Sequence, residues 1–131
     1  MKILFLGDVV GSSGTSMIIE NLANQIKNNK IDFVIVNAEN SDDTGVGLTQ
    51  EICENFFKCG VDVITTGNHV WDQKEIMRFI DKEKRLLRPR NIFEPAPGKG
   101  FEIFKSKKNF KIGVLNLMGN VFMKKCEDVF D

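Results

Sequence analysis

The 131-residue sequence has no excess charge of either sign, because eighteen basic residues are balanced by eighteen acidic ones. A protein that grips a nucleic-acid backbone needs a basic surface, so we do not expect stable binding of nucleic acid. No apolar run approaches the roughly 18 residues of a membrane span, and no basic segment followed by a long apolar one opens the sequence. These absences predict a cytoplasmic protein without a membrane partner.

Cysteine is also scarce, and its spacing argues against two common kinds of site. Cys53, Cys59 and Cys126 are odd in number and form no CxxC pair, so neither a disulfide framework nor a zinc knuckle is expected. Reduced thiols are the expected state, and Cys53 falls in an apolar helical pattern typical of a small core residue.

Three short apolar runs are present, and each predicts a buried strand, at residues 2–6, 32–37 and 61–66. Helical patterns separate them, at residues 15–29 and between Thr49, a candidate N-cap, and Gly60, which suits a left-handed position after a helix end. A third helix is predicted to begin at Asp72, because Asp72 and Glu75 form a capping-box pattern.

The element order βαβαβα predicts a parallel sheet with right-handed crossovers. All three prolines then fall within residues 88–100, which indicates an extended loop. Residues 101–104 and 110–117 flank a lysine-rich turn and predict a β-hairpin. The sequence therefore predicts an α/β domain with a parallel start followed by a hairpin.

Polar side chains follow each predicted strand: Asp8 after the first, Glu39 and Asn40 after the second, Asn68 and His69 after the third. Most have an ordinary structural explanation, since Asp and Asn favour turns and a lone histidine is often a core residue. The coincidence at three strand ends favours a site, because the carboxyl ends of parallel strands share one edge. Oxygen donors of this kind suit Mn, Mg or Fe.

A phosphate-binding loop is the competing interpretation of the first strand end. Gly7, Gly11 and Gly14 have the spacing GxxxGxxG, which differs from the dinucleotide-binding GxGxxG, and no lysine stands where a P-loop needs one. The glycines more simply allow a sharp turn near Asp8.

Five motifs occur in an order typical of one family: Gly-Asp-Val-Val-Gly at 7–11, Asn-Ala-Glu-Asn at 37–40, Thr-Gly-Asn-His-Val-Trp-Asp at 66–72, Arg-Pro-Arg-Asn at 88–91 and Pro-Gly-Lys-Gly at 97–100. Together they closely resemble the YmdB-like branch of the calcineurin-like metallophosphoesterases. The resemblance implies the α/β sandwich of that family and hydrolysis of 2′,3′-cyclic nucleotides at two divalent metal ions (Fe, Mn or Mg). It also implies that Asp8, Glu39 and Asn40 bind the first metal, that Glu39 bridges to the second, that Asn68 binds the second, and that His69 acts on the substrate.

Two departures from the wider superfamily accompany the resemblance. Val10 stands where the usual Asp-x-His motif has histidine, and Glu39 replaces a bridging aspartate. Asn40 then fills the position left by the missing imidazole.

The remaining ligands of the family are histidines from its second half, whereas this sequence contains a single histidine. The resemblance therefore covers the N-terminal portion of a metallophosphoesterase domain, at residues 1–131, without its C-terminal part. Two interpretations stay open: an enzyme seen in an incomplete chain, and a non-catalytic fragment or nucleotide-binding module. Apolar residues at 121, 122, 129 and 130 predict an exposed surface that favours association, which is compatible with a homo-oligomer.

Overall fold

The computed structural model describes residues 1–92, 95–123 and 126–127. Its main sheet has four parallel strands in the order β1 (Ile3–Leu6), β2 (Phe33–Asn37), β3 (Val63–Thr65) and β4 (Leu86–Leu87). In the register, Leu4 pairs with Val34, Ile35 with Val63, and Ile64 with Leu86. The predicted parallel arrangement of the first three strands is confirmed, and the two-residue β4 was not predicted.

Two α-helices connect these strands, α1 (Gly11–Asn29) and α2 (Gln50–Cys59). The predicted ends of α2 are confirmed: Thr49 Oγ1 accepts a hydrogen bond from Ile52 N at 3.3 Å, and Gly60 has φ 114°. The predicted start of α1 at residue 15 is wrong. The helix begins earlier, because Gly11 N donates to Asn40 O at 2.9 Å instead of needing a side-chain cap.

The predicted helix after Asp72 is also wrong. The chain forms only a 3-10 helix, Lys74–Arg78, whose N-cap Gln73 makes no side-chain capping bond. Glu75 reaches a different helix instead, since its Oε1 accepts from Gln50 N, at the first residue of α2, at 2.6 Å. The capping-box pattern was therefore misleading, because both of its acidic side chains have other partners.

The main sheet is covered on both faces at β2, β3 and β4. Strand β1 lies at the edge of the sheet and is not buried as predicted, because Ile3 and Phe5 are exposed. The helices bury one apolar core against it, which includes Leu22, Phe56 and Ile64. The other face is covered by an antiparallel hairpin of β5 (Phe101–Lys105) and β6 (Lys111–Leu115), whose Ile112 and Val114 pack in one cluster with Phe33, Val63 and Leu87. The predicted hairpin and the α/β sandwich are confirmed.

A buried carboxylate, Asp32, links the hairpin to the main sheet. It accepts a hydrogen bond from Lys2 N at 2.8 Å, and Lys108 Nζ in the hairpin turn lies 3.0 Å from it. The Lys2 N–H, followed by the Lys108 ammonium, holds the pKa of Asp32 below its usual value of 3.8. The charge of Asp32 therefore favours the docked hairpin.

Apolar side chains are exposed on the outer face of the hairpin, where Phe101, Ile103 and Leu115 are on the side away from the core, and also at Val121 and Phe122. Residues 129 and 130, which were expected to contribute to the same surface, lie outside the described residues. The expected association stays a prediction. Within the described residues, no helix has the length and apolar content needed to cross a lipid bilayer.

Candidate active site

One cavity of about 520 Å³ lies at the carboxyl edge of the main sheet. Its lining includes all five side chains that the sequence singled out: Asp8, Glu39, Asn40, Asn68 and His69. The structure thus brings the ends of three consecutive strands to one place, as the parallel order requires.

Backbone hydrogen bonds continue the sheet beyond the strands and fix the loops that carry these side chains. Val9 N donates to Asn37 O at 3.1 Å, and Ala38 N donates to Thr65 O at 3.0 Å. Thr66 N donates to the next strand in the same way, at Leu87 O and 3.0 Å. Backbone hydrogen bonds alone therefore fix the position of each loop relative to the neighbouring strand.

Asp8 and Asn40 contact each other directly across two of these loops. Asn40 Nδ2 donates to Asp8 Oδ1 at 2.7 Å. Asp8 has φ 49°, a left-handed conformation that Asp tolerates better than most residues. Asn40 Oδ1 is buried and has no hydrogen-bond partner among the described residues. A buried acceptor without a donor is costly, and a cation would satisfy it.

The Glu39 carboxylate lies against Gly67, where a Cβ atom would be 2.3 Å from each of its oxygens. Only glycine allows this approach. The His69 N–H donates to Glu39 Oε2 at 3.3 Å, and Asn37 Nδ2 is 3.5 Å from Oε1, at the long limit for a hydrogen bond. The ends of strands β2 and β3 therefore meet at this carboxylate.

Two residues at this edge were not expected there. Asn37 lines the cavity, and its buried Oδ1 also lacks a partner in the described part of the chain. Its position directly after an apolar run was the available signal. Asp72, expected to cap a helix, instead places Oδ2 2.6 Å from Nδ1 of His69. The three-residue separation of the two was visible in the sequence, but the contact was not.

The donor set fits part of a shell for hard divalent cations. Two carboxylates and two amides offer the oxygen atoms that Mg²⁺ and Mn²⁺ prefer, and the partnerless Asn40 Oδ1 is one of them. Across residues 1–92, 95–123 and 126–127, no three His, Cys, Asp or Glu side chains come close enough to form a complete cluster. Among the described residues, the cavity therefore offers amide oxygens beside two carboxylates, but no complete cluster of charged ligands.

The chain is similar to one family of proteins and to several of its members. A family model described as YmdB-like protein matches residues 4–131. Over 130 residues the chain is 43% identical to the 2′,3′-cyclic-nucleotide 2′-phosphodiesterase of Bacillus subtilis (strain 168), covering 99% of this chain and 48% of that protein.

Two solved structures are also similar. A hypothetical protein from Thermus thermophilus has a TM-score of 0.90 at 33% identity, covering 99% of this chain and 50% of that one. A protein described as a novel phosphatase, from Mycoplasma pneumoniae, has a TM-score of 0.87 at 37% identity, with 99% and 48% covered. The chain spans about half the length of these relatives.

Proposed function

Because this chain belongs to the YmdB-like family, we propose that it carries the N-terminal part of the active site of a metal-dependent phosphodiesterase. The proposed substrates are 2′,3′-cyclic nucleotides, the class named for the Bacillus subtilis relative. One observation carries the proposal. The cavity gathers Asp8, Glu39, Asn40, Asn68 and His69, and a buried oxygen of Asn40 there has no donor among the described residues.

The family resemblance implies which residues would hold two divalent ions, and the cavity gathers these same side chains. Asp8, Glu39 and Asn40 would hold the first, and Glu39 and Asn68 the second. The ions would be Fe, Mn or Mg, since oxygen donors suit hard cations. When bound, such a pair supplies Lewis acidity that draws charge from the phosphoryl oxygens.

His69 is the proposed proton donor. Its side chain is 35% exposed at the cavity, and its backbone N–H is tied to Glu39. A ring in this position is open to a substrate phosphate while its backbone remains fixed. It would donate a proton to the ribose oxygen that leaves phosphorus. A positioned acid of this kind accelerates a reaction by about 10²–10⁴-fold.

Asp8 and Asn40 would act on the geometry of the site. The Asn40 amide donates to the Asp8 carboxylate, so each of the two side chains restrains the other. Glu39 is packed against the backbone at Gly67, where no side chain intervenes. These contacts would orient the oxygen donors before a cation arrives.

The second candidate is a nucleotide-binding module without catalytic activity. It is favoured by the single histidine and by the lack, among the described residues, of any cluster of three His, Cys, Asp or Glu side chains. With few imidazole donors available, open coordination positions would be filled by water and affinity for metal would fall.

The deciding experiment measures bound Mn²⁺ and hydrolysis of a 2′,3′-cyclic nucleotide. It uses the chain and a version extended by the second half of the Bacillus subtilis relative. We expect Asp8→Ala and Glu39→Ala to lose both metal and turnover. His69→Ala should keep the metal and lose turnover by about 10²–10⁴-fold. Asp43→Ala, at an exposed loop residue outside the cavity lining, is the matched control.

Each alternative outcome has a definite meaning. Nucleotide binding without turnover in the extended chain favours the module. If His69→Ala removes the metal as fully as Asp8→Ala, His69 is a ligand and its assigned role is wrong. Unchanged turnover in His69→Ala makes it a structural histidine.

A further inference from the structure

Asp72 contacts the His69 ring and does not cap the following helix. We propose that Asp72 is a positioning residue that fixes the tautomer and orientation of the His69 ring, so that Nε2 is the nitrogen presented to the substrate. The inference rests on the proposed function for its catalytic meaning. Its physical basis is the 2.6 Å separation between His69 Nδ1 and Asp72 Oδ2.

The backbone between the two residues holds them on one side of a tight turn. Val70 N donates to Gly67 O at 3.2 Å, and Asp72 N donates to His69 O at 3.1 Å. Val70 is 1% exposed in the main core, and Trp71 packs against that core. The backbone of the turn is therefore anchored between the two residues, on the side where their side chains meet.

The Asp72 carboxylate has no competing structural role in the described part of the chain. The 3-10 helix that follows begins at Lys74, and its N-cap is Gln73 rather than Asp72. The hydrogen bond to His69 is the contact that Asp72 makes with its side chain there. Its position is consequently explained by the imidazole and not by the helix.

The chemistry of imidazole gives this contact its consequence. A neutral histidine carries one N–H, and an ionised carboxylate can only accept. Asp72 therefore selects the tautomer with the proton on Nδ1, and the other nitrogen carries the lone pair. The form that can donate a proton from Nε2 is the imidazolium, in which the same contact keeps the Nε2–H directed away from Asp72. Loss of that proton leaves the Nδ1–H tautomer. A carboxylate that holds a catalytic histidine in this way is a recurrent device in unrelated enzymes.

The single histidine makes the tautomer directly measurable. A long-range ¹H–¹⁵N spectrum of the untagged chain shows the signals of one imidazole. It is recorded at an alkaline pH at which the ring is neutral. We expect the Nδ1–H tautomer to dominate in the wild type. In Asp72→Ala, and in the isosteric Asp72→Asn, the ratio of Nδ1–H to Nε2–H should fall by about tenfold or more, since a charge-assisted acceptor is lost.

Asp43→Asn is the matched control, because it removes the same charge at an exposed loop position without altering the contact, and its ratio should equal that of the wild type. A wild-type ring that is mainly Nε2–H overturns the proposal. So does a ratio unchanged in both Asp72 variants. Near-wild-type melting temperatures for these exposed substitutions establish that the spectra report the folded chain.

The catalytic consequence has its own measurement in the extended chain. Asp72→Asn should lower kcat on the order of tenfold, with KM and bound Mn²⁺ unchanged, because the ring would be misdirected and not removed. An unchanged kcat overturns the positioning role. If the wild type shows no hydrolysis, the proposed function fails while the spectra still decide whether Asp72 sets the tautomer.

Discussion

Replacing Gly67 by alanine should displace the Glu39 carboxylate without disturbing the fold. The new Cβ would lie 2.3 Å from both carboxylate oxygens and 2.6 Å from Glu39 Cδ. An ordinary contact is about 3.5 Å, so the carboxylate must move by about 1 Å. It is the end of a flexible side chain, and a rotation of that chain accommodates the methyl group.

The expected cost can be divided between stability and the site. Displacement loses the hydrogen bond from His69 N to Glu39 Oε2, worth about 1 kcal/mol. For a domain of this size, that lowers the melting temperature by about 3–5 °C. The affinity for Mn²⁺ should fall by about 10–100-fold, the usual effect of disturbing how a ligand is oriented.

The assay is a Mn²⁺ titration beside thermal denaturation. Gly119→Ala is the control, because a Cβ at Gly119 meets no heavy atom within 4 Å. It should bind Mn²⁺ like the wild type. If Gly67→Ala binds Mn²⁺ as tightly as Gly119→Ala, the Glu39 carboxylate is not a ligand in this position and the reasoning fails.

Two further expectations concern the fold. Phe56 is fully buried in the core between the helices and the sheet, so Phe56→Ala should lower the free energy of unfolding by about 3–5 kcal/mol. Phe101 is exposed, and Phe101→Ala should lower it by less than about 1 kcal/mol. Urea unfolding measures both losses, and equal losses would contradict the assigned core. Asp32 has a folded pKa lowered by the Lys2 N–H and by Lys108, so its contribution is present above the unfolded pKa near 3.8 and is lost as pH falls through the folded pKa. The melting temperatures of wild type and Asp32→Asn should therefore converge in acid, and a gap that stays constant from about pH 6 to 2 would disprove this.

The strand order could be predicted from the sequence because each strand is a short apolar run with a polar stop. Three such runs separated by helical patterns leave one simple parallel arrangement. Strand β4 was not predicted because it comprises only Leu86–Leu87, directly after a charged segment. A two-residue strand has no periodicity, and its pairing with Ile64 becomes visible only in three dimensions.

The sequence indicated which residues would meet at the candidate site, but not which hydrogen bonds their side chains would form. The strand ends indicated Asp8, Glu39 and Asn68, since topology alone brings them together. Sequence spacing favoured Asp72 and Glu75 as a capping pair, but their oxygens bond to His69 and to the start of α2. Acidic side chains near a turn have several acceptable donors, and which one wins depends on the surrounding structure as well as on local spacing.

The hydrogen bonds that extend the sheet past its strands have a consequence for the entropy of binding. Val9, Ala38 and Thr66 are held in register by neighbouring segments, so the backbone around the donors is already ordered. Ordering one residue costs about 1–2 kcal/mol at 25 °C. A ligand that binds a disordered loop loses part of its binding free energy to ordering each residue of that loop. Here the backbone is already ordered when the chain folds, so binding would not include this entropy loss. The proposed affinity of this edge for a divalent cation would thereby be coupled to the stability of the sheet. A change that loosens strand pairing far from the cavity would weaken that binding without altering any of the proposed ligands.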